Sequence, residues 1–155
     1  MASVLAQLEH SGLATWIHES GLLYGYPLIL FLHTLGLSTV VGLNVAIDLR
    51  LLGVASRVPL ASLDKVFGLL WAGFGLTAVT GVLLFVADAT KHASNPAFFV
   101  KLAFVGGGVT TVALLRRRVF HGGEHGRFLA AASLGCWFVA LTAGRLMAYV
   151  SEFIS

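Results

Sequence analysis

The chain has 155 residues, of which 57% are hydrophobic and only 11% charged, with a formal net charge of +3. Soluble globular domains carry about 25% charged residues, and disordered chains are charge-rich and apolar-poor, so the composition excludes both. The single cysteine, Cys136, excludes an internal disulfide, a cysteine zinc cluster and a thiolate iron–sulfur site. The basic balance does not point to nucleic acid, because the charges fall between long apolar runs.

In chain order, the residues before Gly21 mix Val4, Leu5, Leu8, Leu13, Trp16 and Ile17 with Glu9, His10, His18 and Glu19, the pattern of a short helix lying in a membrane interface. A bilayer core about 30 Å thick needs about 20 apolar residues in a helix. Four segments have that length: 21–47, 66–87, 97–115 and 128–150. The first contains His33, the second no charge, the third Lys101 near its start and the fourth Arg145 in its last third. Strict period-2 alternation is absent, which argues against barrel strands. The first residues lack a basic region and the first apolar run is too long for a signal peptide. The expected fold is an all-α four-transmembrane-helix bundle, a single membrane domain over 1–155, with a short N-terminal interfacial helix.

The connections read as turns. Residues 53–65 hold Pro59 and a helix-start signal, Ser62-Leu63-Asp64-Lys65; residues 88–96 end in Ser94-Asn95-Pro96, which places Pro96 at the start of the third span; residues 116–127 hold Gly122-Gly123. Arg50, Arg57, Lys65, Arg116, Arg117, Arg118 and Arg127 collect at one side and Lys91, Lys101 and Arg145 at the other. Positive-inside reasoning puts the first group in the cytoplasm. The expected location is a bacterial inner membrane, multi-pass, with both termini periplasmic, Tyr24, Tyr26 and Tyr149 in the outer aromatic belt and Trp71 in the inner one.

Polar groups inside a span are costly and face the bundle interior. Tyr26, His33, Val40, Asn44 and Asp48 share one stripe of the first span, since steps of seven, eleven and four residues return to nearly the same angle. Asp48 with Arg50 reads most simply as a charge arrangement at the water interface. Gly73, Thr77, Gly81, Leu84 and Asp88 form a small, polar stripe on the second span, and Gly106-Gly107-Gly108, Gly135 and Gly144 thin the third and fourth. Small residues let membrane helices approach closely and would also leave a slot for a planar cofactor. Arg145 reads either as a snorkelling residue or as the partner of an anion.

His33 admits structural, proton-relay and ligand roles. His10, His18, His92, Lys91, Asp88 and Arg145 fall at the same outer end. Haem b needs axial histidine, an apolar pocket and basic groups near its propionates. The expected site therefore holds haem b through His33, with His92, His18 or His10 as second ligand and Arg145, Lys91 or Lys101 at the propionates; His33 and His92 are the expected metal ligands. Against this, spans two to four carry no histidine. The expected function is electron transfer or redox sensing, with the lipid bilayer, a second copy of the chain and a quinone or periplasmic redox partner as expected contacts. The alternative is a non-enzymatic oligomer, a pore or transporter subunit without cofactor, in which Gly21-x-x-x-Gly25 supports helix association. An outer-leaflet enzyme using His33, Asp88 and Arg145 lacks a nucleophile–base pair, so no catalytic residue is assigned. His121 and His125 have a helical metal-ligand spacing, interrupted by the two glycines.

Several strings carry a resemblance. Leu32-His33-Thr34-Leu35-Gly36, Asp48-Leu49-Arg50-Leu51-Leu52-Gly53, Thr80-Gly81-Val82-Leu83-Leu84-Phe85, Asn95-Pro96-Ala97-Phe98 with Lys101, and Gly144-Arg145 with Tyr149 resemble a family of small four-span bacterial membrane proteins with no assigned activity. The resemblance runs from about Tyr24 onward and implies a bacterial integral membrane protein. The layout is also loosely similar to four-helix b-type membrane cytochromes and to CopD-like copper-resistance membrane proteins.

Overall fold

The computed structural model describes residues 2–20, 24–54, 57–121 and 126–153. They form α1 (Ala2–Glu9), α2 (Gly12–Glu19), α3 (Tyr26–Leu52), α4 (Leu60–Asp64), α5 (Phe67–Ala87), α6 (Ala89–Ala93), α7 (Pro96–Leu115), a π turn (Arg116–Phe120) and α8 (Arg127–Phe153). No strand occurs among the described residues. Four helical stretches are long and apolar enough to cross a membrane: Tyr26–Leu52, Leu60–Ala87, Pro96–Phe120 and Arg127–Met147. The chain is thus an all-α, multi-pass membrane protein in contact with the lipid bilayer.

Local chemistry sets the helix ends. Gly25 precedes α3 and Pro27 sits in its first turn, where a missing N–H costs nothing. At the other end Gly53 takes φ 97° and its N–H bonds to the Arg50 and Leu49 carbonyls, a left-handed stop that favours glycine. The described α3 therefore begins and ends five residues later than the apolar run 21–47 suggests. Asp48 and Arg50 look like the end of that run, yet the helix continues through them because Asp48 is buried. The Asn95 side chain accepts from the Ala97 N–H at 3.0 Å, with Pro96 in the first turn of α7, as the sequence predicts. Ser62–Lys65 does not open a long helix: Pro59 starts the five-residue α4, and α5 follows after a break at Lys65 and Val66. Gly21, Gly122, Gly123 and His125 lie outside the described residues.

The helices alternate in direction. α5 packs along α3, α8 along α7, and α3 against α8 joins the two pairs. The α3–α5 pair closes on glycine. A Cβ on Gly36 would sit 2.5 Å from Thr77 Oγ1 and 2.9 Å from the Gly73 carbonyl, and one on Gly73 would sit 3.1 Å from the Thr39 side chain. In the other pair Trp137, 3% exposed, lies over Gly108, where a Cβ would come within 2.8 Å of its ring. The expected stripes are the packing stripes: Val40, Asn44 and Asp48 of α3 and Gly73 and Leu84 of α5 are buried, with Tyr26, His33, Thr77 and Gly81 half-buried. An apolar core of Ile47, Phe67, Leu70 and Val112 fills the arginine-rich half. Phe67 packs edge-on against Phe120 there, beneath the Arg116 guanidinium.

The expected single N-terminal helix is two, folded over the opposite end of the bundle. Ser11 caps α2 by accepting from Ala14 N–H. Ile17 is buried with Ile29, Leu84 and Ala87, and Gly25 passes close against the Ile17 carbonyl. His18 stacks on Tyr26 at 6.0 Å and donates from Nε2 to the Ala87 carbonyl at 3.2 Å. Glu9 accepts from the Thr90 N–H and hydroxyl, both at 2.8 Å, and the Thr90 amide and hydroxyl hold its carboxyl below the usual carboxylate value. This end is called the N-terminal face below.

Candidate functional site

A cavity of about 640 Å³ opens among α3, α5, α6, α7 and α8, in the half of the bundle nearest the N-terminal face. Its polar lining includes His33, Asp88, Lys91, His92, Asn95, Lys101 and Arg145, and its apolar wall includes Leu30, Phe85, Phe98, Val105, Trp137 and Leu141. Five of the seven residues expected to bind a cofactor (His33, His92, Lys91, Lys101 and Arg145) line this one cavity; His10 is not among the lining residues. Nor is His18, which is bonded to the end of α5.

The hydrogen bonds set the ring states. Thr80 has one hydroxyl proton, which it donates to the Leu76 carbonyl at 2.6 Å. With the proton so placed its oxygen accepts from His33 Nδ1, 3.0 Å away, the arrangement of the Nδ1–H tautomer, in which Nε2 is the lone-pair acceptor. The His33 ring lies against Gly81, whose Cβ would meet Cε1 at 3.2 Å. His92 donates from Nδ1 to the Asp88 carbonyl at 2.7 Å and packs between Phe85 and Phe98.

Charge is distributed unevenly round the cavity. Lys91 and Arg145 are exposed and Lys101 half-buried; the Lys101 stem runs past Gly144, within 3.6 Å of where a Cβ would stand. Asp88 is the single acidic residue on the lining among the described residues. None of the three cations makes an ion pair among the described residues, where the bridges found are Arg116 and His121 to Asp64.

The expectation of haem b is corrected by the arrangement of ligands. Among the described residues no three His, Cys, Asp or Glu side chains gather where they could hold a metal ion. Two of the glycine positions that suggested room for a planar group are filled from within: the His33 ring occupies the one at Gly81, and Trp137 the one at Gly108. His18, a candidate second ligand, uses its Nε2 proton on a backbone carbonyl.

One polar centre was missed. The sequence places Asp48 with Arg50 at the water interface, but Asp48 is 0% exposed and accepts from Asn44 Nδ2 at 2.6 Å. Asn44 Nδ2 also donates to Ser133 Oγ of α8 at 2.8 Å, while Arg50 Nε donates to the Val58 carbonyl. The signal was present: Asn44 and Asp48 are four apart on the same inward stripe as Val40.

Comparison of the chain with protein-family models, curated proteins and solved structures finds no match. The site therefore has to be read from its own geometry.

Proposed function

We propose that the chain is a cofactor-independent binding protein of a bacterial cytoplasmic membrane that takes an anionic amphiphile into the cavity between its helices. The observation that carries this reading is the convergence of Lys91, Lys101 and Arg145 on one cavity where, among the described residues, Asp88 is the only carboxylate and most of the remaining wall is apolar and aromatic. Unpaired cations at membrane depth are costly, and such residues pair with one another or with a ligand. An acidic head group would satisfy them, with Arg145 able to engage two oxygens at once, while Leu30, Phe85, Phe98 and Leu141 receive a tail. His33 Nε2 and Asn95 provide an acceptor and an amide to orient the head. Seven of the ten Lys and Arg residues lie at the opposite face, so positive-inside reasoning turns the cavity toward the outer leaflet. The strings shared with small four-span bacterial proteins support the bacterial assignment.

The test is ligand-dependent stability of the purified protein in a neutral detergent. A short-chain phosphatidylglycerol, the matching phosphatidylcholine, inorganic phosphate and a neutral quinone are compared. The expected result is selective stabilisation by the anionic lipid, about 2.7 kcal/mol at a hundredfold excess over Kd, abolished in Lys101→Gln/Arg145→Gln. Equal stabilisation by phosphate would make the ligand a free anion. Equal stabilisation by phosphatidylcholine or by quinone, or none by any of the four, refutes the reading.

A further inference from the structure

We propose that Asp48, Asn44 and Ser133 form a buried binding centre for a small monovalent cation, a proton or a sodium ion, in the arginine-rich half of the bundle. The centre is separate from the outer cavity: Asp48 lies fifteen residues beyond His33 on α3, roughly 22 Å of helix rise, and is not on the cavity lining.

The three side chains are 0%, 1% and 0% exposed, and Ser133 and Asn44 are the polar side chains that approach the carboxylate. Asn44 spends its amide protons on Asp48 Oδ2 and Ser133 Oγ. Two buried oxygens, Asp48 Oδ1 and Asn44 Oδ1, then have no partner in hydrogen-bonding geometry among the described residues. Both are acceptors of the hard type that small cations use.

No charged side chain of the protein takes their place among the described residues. On α3 itself, Arg50 Nε is bonded to the Val58 carbonyl. α5, the helix packed most extensively on α3, contains no charged residue. On α8, the helix that supplies Ser133, Arg127 extends toward Gly53 at the end of α3. Arg116, beyond α7, lies over Phe67 and beside Asp64. A lone carboxylate removed from water is very costly unless it is neutralised or paired. Asp48 Oδ1 and Asn44 Oδ1 stand unpartnered and no cation of the protein reaches them among the described residues, so the neutralising charge comes from solution.

The experiment is labelling with a hydrophobic carbodiimide, which reacts with protonated carboxyls inside a membrane phase, read by mass spectrometry of the peptide carrying Asp48. It is done on the full chain in lipid nanodiscs, across pH and with sodium or potassium at constant ionic strength. Expected is labelling that falls as pH rises, with loss of the modified peptide in Asp48→Asn. Protection by sodium but not potassium at fixed pH identifies sodium as the ion; indifference to both identifies the proton. Because the amide variant could in principle repack, the infrared carbonyl band of a protonated carboxyl is measured in parallel and should vanish only in Asp48→Asn. Absence of labelling at every pH, together with absence of that band and of any sodium-dependent change in stability, overturns the proposal.

Discussion

Gly36→Ala tests the packing that positions both polar centres. A Cβ there would come within 2.5 Å of Thr77 Oγ1, 2.9 Å of the Gly73 carbonyl oxygen and 3.0 Å of Thr77 N, against an ordinary contact of 3.4 Å or more. The hydroxyl can rotate away, but the two backbone atoms cannot, so α3 and α5 must separate by about 0.5 Å at the Gly73 carbonyl. Overpacking of this size costs about 1–3 kcal/mol, and the intrinsic helix gain of alanine over glycine returns about 0.5–1 kcal/mol. The net expectation is a loss of about 0–2.5 kcal/mol against the natural chain, and of about 1–3 kcal/mol against an alanine placed at an uncrowded glycine of the same helices. Gly42 and Gly75, on the same two helices, have nothing within 4 Å of an added Cβ; alanine there should be neutral or stabilise by up to about 1 kcal/mol. Reversible unfolding in mixed detergent–denaturant micelles, followed by tryptophan fluorescence, measures all three. Gly36→Ala as stable as Gly42→Ala would refute the close approach of α3 and α5.

Gly108→Ala pushes a methyl to within 2.8 Å of the Trp137 ring and should shift that residue's emission, whereas Gly106→Ala, in open space, should not. Glu9 ties α1 to α6 through Thr90. Because its folded carboxyl titrates below its ordinary value, this tie contributes fully above the unfolded pKa and is lost as pH falls through the lower folded value. Exchange of the Thr90 amide should accelerate across that acid window, and Glu9→Gln should remove the pH dependence. Arg116→Ala should change stability by no more than about 1 kcal/mol from its ion pair with Asp64, since both partners are 43% exposed. A larger loss would assign the effect to its contact with Phe67, which Phe67→Leu would reproduce.

What the sequence reveals here follows from which forces have a one-dimensional signature. Hydrophobic length gives the four spans, and Asn95-Pro96 gives one of their ends, because capping acts within a few residues; the stop at Gly53 lies five residues past the apolar run 21–47. Helical periodicity also gives the inward stripes, and the alternation of spans and connections brings His33, His92, Lys91 and Arg145 to one end of the bundle. Neither could give what each of these touches. The Gly81 slot looks open in sequence and is filled by His33, a residue 48 positions away, and His18 looks available while its ring is bonded to Ala87, 69 positions on. Asp48 shows the same limit from the other side. Its nearest charged neighbour in sequence is Arg50, and a rule based on adjacency pairs them. In an α-helix residues two apart point in different directions, and here they separate: Asp48 turns inward to Asn44, and Asn44 in turn to Ser133 of α8, while Arg50 turns out to Val58. The stripe through Val40 and Asn44 already favoured the inward direction. Weighing angle above adjacency therefore finds this centre, whereas its partner Ser133 requires the α3–α8 contact that only the fold supplies.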